Sequence, residues 1–86
     1  MSTKSMTALD AEIAAMEAKL HGAHELERHY DREAEKLKEV YGEGVRPGWV
    51  SADIAMAEVY RDAARREAET YTRILKELTD AQNKNA

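Results

Sequence analysis

The chain contains no cysteine and no phenylalanine, and only one proline and one tryptophan among its 86 residues. Without cysteine there can be no disulfide, no thiol nucleophile and no thiolate metal site. No apolar run approaches the roughly 18 residues that a membrane span needs. The first six residues, Met1-Ser2-Thr3-Lys4-Ser5-Met6, lack the apolar stretch of a signal peptide. The expectation is a soluble, cytoplasmic protein. Leu, Ile and Val together number only 13, too few for a conventional globular core. The net charge of −4 argues against nucleic acid as a partner, because displacing its counterions takes clustered Lys and Arg. Arg61, Arg65, Arg66, Arg73 and Lys76 do give the second half a basic tendency. Glu58, Asp62, Glu69 and Glu77 interleave with them, as in an exposed helix face laced by pairs four residues apart.

What the chain has in abundance is helix-forming residues. Ala, Glu, Lys, Leu and Arg supply 46 of the 86 positions, and the apolar residues recur with a seven-residue rhythm, the signature of long helices or a coiled coil. Thr7 and Asp10 form a capping box at the start of a first helix, expected over about 7–41. Along it Leu9, Ile13, Met16, Leu20, Ala23, Tyr30, Ala34, Leu37 and Tyr41 alternate steps of three and four, broken only at Glu27. Gly22 interrupts the helix formers, either at a close contact or as a tolerated weak point. A turn follows over 42–50. Gly42 can adopt the left-handed conformation that ends a helix, and Pro47 forbids its continuation. Ser51 is the expected N-cap of a second helix over about 51–81, with Asp53 complementing its dipole. Ala57, Tyr60, Ala64, Tyr71, Ile74, Leu78 and Ala81 carry the same rhythm. Met56, Val59, Ala63, Ala68 and Leu75 widen the stripe to about half the circumference, beyond what one partner helix covers. Both termini are expected to fray.

The pattern therefore predicts a single all-α domain over 1–86, an antiparallel two-helix hairpin that dimerises into a four-helix bundle. Its interface would comprise Leu9, Ile13, Met16, Leu20, Tyr30, Leu37, Tyr60, Tyr71, Ile74 and Leu78. Trp49, with Val45 and Val50, either forms an exposed partner-binding tip or folds back near Tyr41 to plug the end of the bundle; packing is the commoner fate of a lone loop tryptophan.

Three residues could carry chemistry. Counting outward from the turn, Tyr41 pairs with about Ala52, so Glu27 and Glu67 stand at the same level, both directed into the seam. A carboxylate there must be satisfied. The structural reading is a polar layer in which the glutamates bond to tyrosines or pair with Arg66. The chemical reading is a metal site: a dimer would gather four glutamates, and His24, one turn before Glu27, would add two imidazoles. Four carboxylates and two histidines is the ligand count of a di-metal bundle site holding Fe or Mn. In that stoichiometry Glu27, Glu67 and His24 resemble the ferritin-like proteins, including encapsulated ferritins whose helical hairpins complete their site by dimerising. The resemblance implies metal binding and oxidase-like or storage activity. The order differs: that family uses Glu-x-x-His, and here the spacing reads His24-x-x-Glu27. His24-Glu25-Leu26-Glu27-Arg28-His29 does not make a zinc-protease motif, whose histidines stand four apart on one face. His21, Glu25 and His29 do share a stripe, on the side away from the core.

The length, acidity and helical topology, with Pro47-Gly48-Trp49-Val50 at the bend, also resemble the small secreted hairpins of the Trp-x-Gly (WXG) family, though with Trp and Gly in reversed order and no Tyr-x-x-x-Asp/Glu export signal. That resemblance implies a secreted helical hairpin. No Ser-His-Asp set or Gly-rich phosphate loop can be assembled, and Gly42-x-Gly44 follows a helix where a phosphate cradle would follow a strand. The reading that accounts for most of the sequence is a non-enzymatic protein without a cofactor, which binds itself and another protein as an adaptor, inhibitor or scaffold.

Overall fold

The computed structural model describes residues 7–42, 44 and 46–84. Residues 1–6, Glu43 and Val45, which the sequence reading assigned to a frayed leader and to the bend, lie outside them. Two helices, α1 (Ala8–Tyr41) and α2 (Gly48–Lys84), make up the fold. They pack against each other as a hairpin of 66 × 25 × 14 Å. Its radius of gyration of 19.3 Å compares with about 12 Å for a compact domain of this length.

Each end of α1 has an identifiable cause. The Thr7 hydroxyl accepts from the Asp10 N–H at 3.0 Å, and the Asp10 carboxylate accepts from the Thr7 N–H at 3.2 Å, so the capping box is complete. At the other end the Gly42 N–H donates to the Lys38 carbonyl at 2.8 Å with φ +65° and ψ −167°, a backbone region that is almost exclusively glycine's. The Arg46 guanidinium donates to the Gly42 carbonyl, so a cation closes the negative end of the helix dipole.

Helix α2 begins three residues earlier than the sequence implies. Pro47 presents its carbonyl to the N–H groups of Val50 and Ser51, at 3.0 and 3.4 Å. The proline therefore stands where an N-cap stands, leaving Ser51 inside the first turn and Asp53 beyond it. A proline lacks the donor that this position does not need. At its far end α2 continues to Lys84, past the point where fraying was expected, and the Gln82 amide donates to Asp10 across the open end of the hairpin.

The core is a seam of small side chains. Ala23, Ala34, Ala57, Ala64 and Ala68 are buried, together with Val50 and Ile54 nearest the bend. On α2 the buried positions begin at Val50 and proceed through Ile54, Ala57, Ala64 and Ala68, so the heptad rhythm runs two turns further towards the bend than the sequence reading carried it. Val59, counted there as part of the stripe, is exposed. Thr70, Thr72 and Thr79 return their hydroxyls to the carbonyls of Arg66, Ala68 and Leu75, at 3.1, 2.7 and 2.8 Å, which satisfies them within their own helix.

A Cβ built on Gly22 meets nothing within 4 Å, so within the hairpin this glycine serves no close approach. Gly22→Ala is expected to stabilise the hairpin by roughly 0.5–1 kcal/mol, read as a rise in Tm. Gly42→Ala is expected to destabilise it by roughly 1–3 kcal/mol, although a side chain there would meet no neighbour. The two substitutions in one melting experiment separate helix propensity from backbone strain.

Candidate interaction interface

The ion pairs that tie the helices together fall on one broad face. Lys38 Nζ lies 3.3 Å from Glu58 Oε2, Arg61 Nη1 lies 3.2 Å from Asp31 Oδ1, and Arg65 Nε lies 3.0 Å from Glu27 Oε2. The Asp31–Arg61 and Glu27–Arg65 pairs keep one antiparallel register, within about a residue of the one expected from the turn, and the long Lys38 side chain reaches about a turn along the hairpin to Glu58. Arg61 is the centre of the ladder. It occupies the seam position between Ala57 and Ala64, its side chain is only 19% exposed, and it also reaches Asp62 at 3.1 Å and Glu58 at 3.9 Å. Hydrogen bonds to Asp62 and then Asp31 hold its pKa above the ordinary arginine value. Sequence reasoning placed Arg61 on a solvated face; the steps Ala57, Arg61, Ala64, Ala68 carry the signal that it belongs to the seam. Glu25, on the outer stripe of His21, Glu25 and His29, accepts a hydrogen bond from Arg28 that lowers its carboxyl pKa, and His21 Nε2 stands 3.9 Å away.

Glu27 and Glu67 do not share an environment. Glu27 is half-buried, with a side chain 24% exposed, and His24 Nδ1 lies 3.8 Å from its second oxygen. Its cross-hairpin partner is Arg65, not Arg66. Glu67 is exposed, because Ala68 takes the seam position between Ala64 and Tyr71. An alanine there allows close helix approach and carries no charge to desolvate. Two residues advance about 200° round a helix, so Arg65 and Glu67 leave α2 on nearly opposite sides. Within one hairpin Glu67 therefore does not join His24 and Glu27. Among the described residues no group of three or more His, Asp or Glu side chains could hold a metal ion.

The opposite broad face is apolar and open. Tyr30, Leu37, Met56, Ala57 and Tyr60, with His29, Glu33 and Asp53 at the rim, line a groove of about 510 Å³. The rings of Tyr30 and Tyr60 meet across the hairpin at 5.2 Å, yet Tyr60 remains 48% exposed, as Met56 and Leu26 also largely do. The sequence-predicted interface residues Leu9, Ile13, Met16, Leu20, Tyr30, Leu37, Tyr71, Ile74 and Leu78 are all only partly covered. At the bend Trp49 stands edge-on to Tyr41, with ring centres 5.4 Å apart, while 54% of it stays exposed. The residues that close this end are Val50, fully buried, and Ile54.

No helix is long and apolar enough to cross a membrane among the described residues. No protein-family model, curated protein or solved structure matches the chain.

Arg61→Ala removes the centre of the ladder and the stem that fills the seam. It is expected to cost about 1 kcal/mol, and so to lower Tm by roughly 4–8 °C. Arg28→Ala touches only the exposed Glu25 pair and should leave Tm unchanged within error.

Proposed function

We propose that this chain is a non-enzymatic helical protein that works by protein–protein interaction, first with a second copy of itself, two hairpins completing a four-helix bundle. One observation carries the reading. Among the described residues, the hairpin buries alanines, one valine and one isoleucine, and no leucine, methionine, tyrosine or tryptophan. Full burial of a Leu or Met side chain is worth about 2 kcal/mol, whereas an alanine methyl contributes about 0.8. Part of the apolar energy of the half-buried leucines, methionine and tyrosines, and a larger share of that of Leu26, Met56 and Tyr60, is therefore left ungained by one hairpin, and a second hairpin supplies the missing cover. The ferritin-like resemblance of Glu27, Glu67 and His24 would imply the same assembly, but its ligand set does not come together within the hairpin, where Glu67 stands apart from His24 and Glu27. The bundle is read as structural or adaptor-like, with the ion-pair face left available to water or a further protein.

Native mass spectrometry of the untagged chain, before and after chelator, tests this. The expected species has twice the 9.7 kDa chain mass and loses nothing to the chelator. Leu20→Asp is expected to abolish that dimer and much of the helicity. A wild-type chain that is a fully helical monomer at micromolar concentration would overturn the reading. A dimer that sheds metal mass would return Glu27, Glu67 and His24 to the centre of attention.

A further inference from the structure

Resting on the dimer reading above, we propose that the second copy docks on the Tyr30–Tyr60 face with its bend at the opposite end, so that the two-fold axis passes beside Leu26 and Glu67. The two broad faces differ in what docking would cost. On the ladder face Glu27, Asp31, Lys38, Glu58, Arg61 and Arg65 already have partners, and covering them would strip water from charges that gain nothing new. The other face carries the groove and offers on the order of 1,600 Å² of outline from its 66 × 25 Å extent, about twice what one partner contributes to a standard interface.

The orientation follows from two stripes of seven-residue spacing, which stay on one side of a helix with little drift. On α1 the stripe reads Lys19, Leu26, Glu33, Val40; on α2 it reads Tyr60, Glu67, Ile74, Ala81. Glu33 and Tyr60 both line the groove, which places both stripes on this face. Residues 26 and 67 stand at one level of the hairpin, as the Glu27–Arg65 pair shows. A two-fold there, with the bends at opposite ends, sets α1 on α1 and α2 on α2. Lys19 of each copy then lies over Glu33 of the other, and Tyr60 over Ile74. With both bends at the same end α1 would lie on α2, setting Lys19 against Ile74, Glu33 against Tyr60 and Glu67 against Leu26. Over the three central positions of each stripe, 19, 26 and 33 on α1 and 60, 67 and 74 on α2, the opposed arrangement matches charge to charge and apolar to apolar, at the cost of one Glu67 pair on the axis. Among the described residues Lys19, Glu33 and Glu67 have no ion pair inside the hairpin, so they are available to the second copy.

The absence of cysteine makes the arrangement directly testable by oxidising single-cysteine variants of the full chain. Leu26→Cys and Glu67→Cys are expected to give disulfide-linked dimers. Arg65→Cys on the ladder face is expected not to, nor is Tyr60→Cys, whose two copies would stand about 21 Å apart along the bundle. In parallel, Lys19→Glu is expected to weaken the dimer roughly tenfold, and the double variant Lys19→Glu/Glu33→Lys to restore it. Within one chain these residues are about 21 Å apart, so rescue requires contact between copies. A wild-type dimer in which Arg65→Cys or Tyr60→Cys links and Glu67→Cys does not, or in which the charge exchange fails to rescue, overturns this arrangement while leaving the dimer standing. A wild-type monomer overturns both.

Discussion

The structure depends on how closely the two helix backbones approach. Ala23 and Ala34 on one side and Ala57, Ala64 and Ala68 on the other are buried in the seam, with Val50 and Ile54 nearest the bend. Small side chains allow that approach and favour the helix intrinsically, but each buries little apolar area. The alanine seam thus gives a firm register and by itself only a small hydrophobic gain. Its larger apolar side chains sit on the shoulders of the seam, where one neighbouring helix covers only part of them.

The two faces follow from that constraint. Where the shoulder residues are ionic, the helices tie to one another through Arg61, Arg65 and Lys38, and the surface is satisfied. Where they are aromatic or aliphatic, as at Tyr30, Leu37, Met56 and Tyr60, the surface is unfinished. A single chain thereby carries one face suited to water and one suited to another apolar surface. Burial of the second face, more than any chemistry visible within one hairpin, is what organises the functional reading.

The helices, the bend and the register were legible in the sequence because they rest on local signals: the Thr7–Asp10 box, Gly42, Pro47 and the steps of three and four. What was misread lay where two neighbouring residues competed for one seam position. Glu67 and Ala68 differ by 100° of rotation, and the periodic count alone admitted either; the desolvation cost of a carboxylate decides for Ala68. The same rule explains Arg61, whose long stem can lie in the seam while its head reaches Asp31 and Asp62. Helix α2 began early because a proline carbonyl can serve as the first acceptor without any capping side chain, a signal weaker in sequence than the serine that follows. The candidate site was only partly legible. His24 and Glu27 do lie together, and the separation of Glu67 from them depends on a choice between adjacent residues that spacing does not resolve.

The hairpin topology also orders events in time. Contacts near the bend, such as Tyr41 with Trp49, join residues close in sequence, whereas the Asp10–Gln82 clamp closes the longest loop in the molecule. Because loop closure becomes more costly with length, ordering should spread from the bend like a zipper, and opening should start at the free ends. The sole tryptophan stands at the point where that zipper starts. Its fluorescence would register the earliest step of folding and be nearly blind to the breathing of the far end.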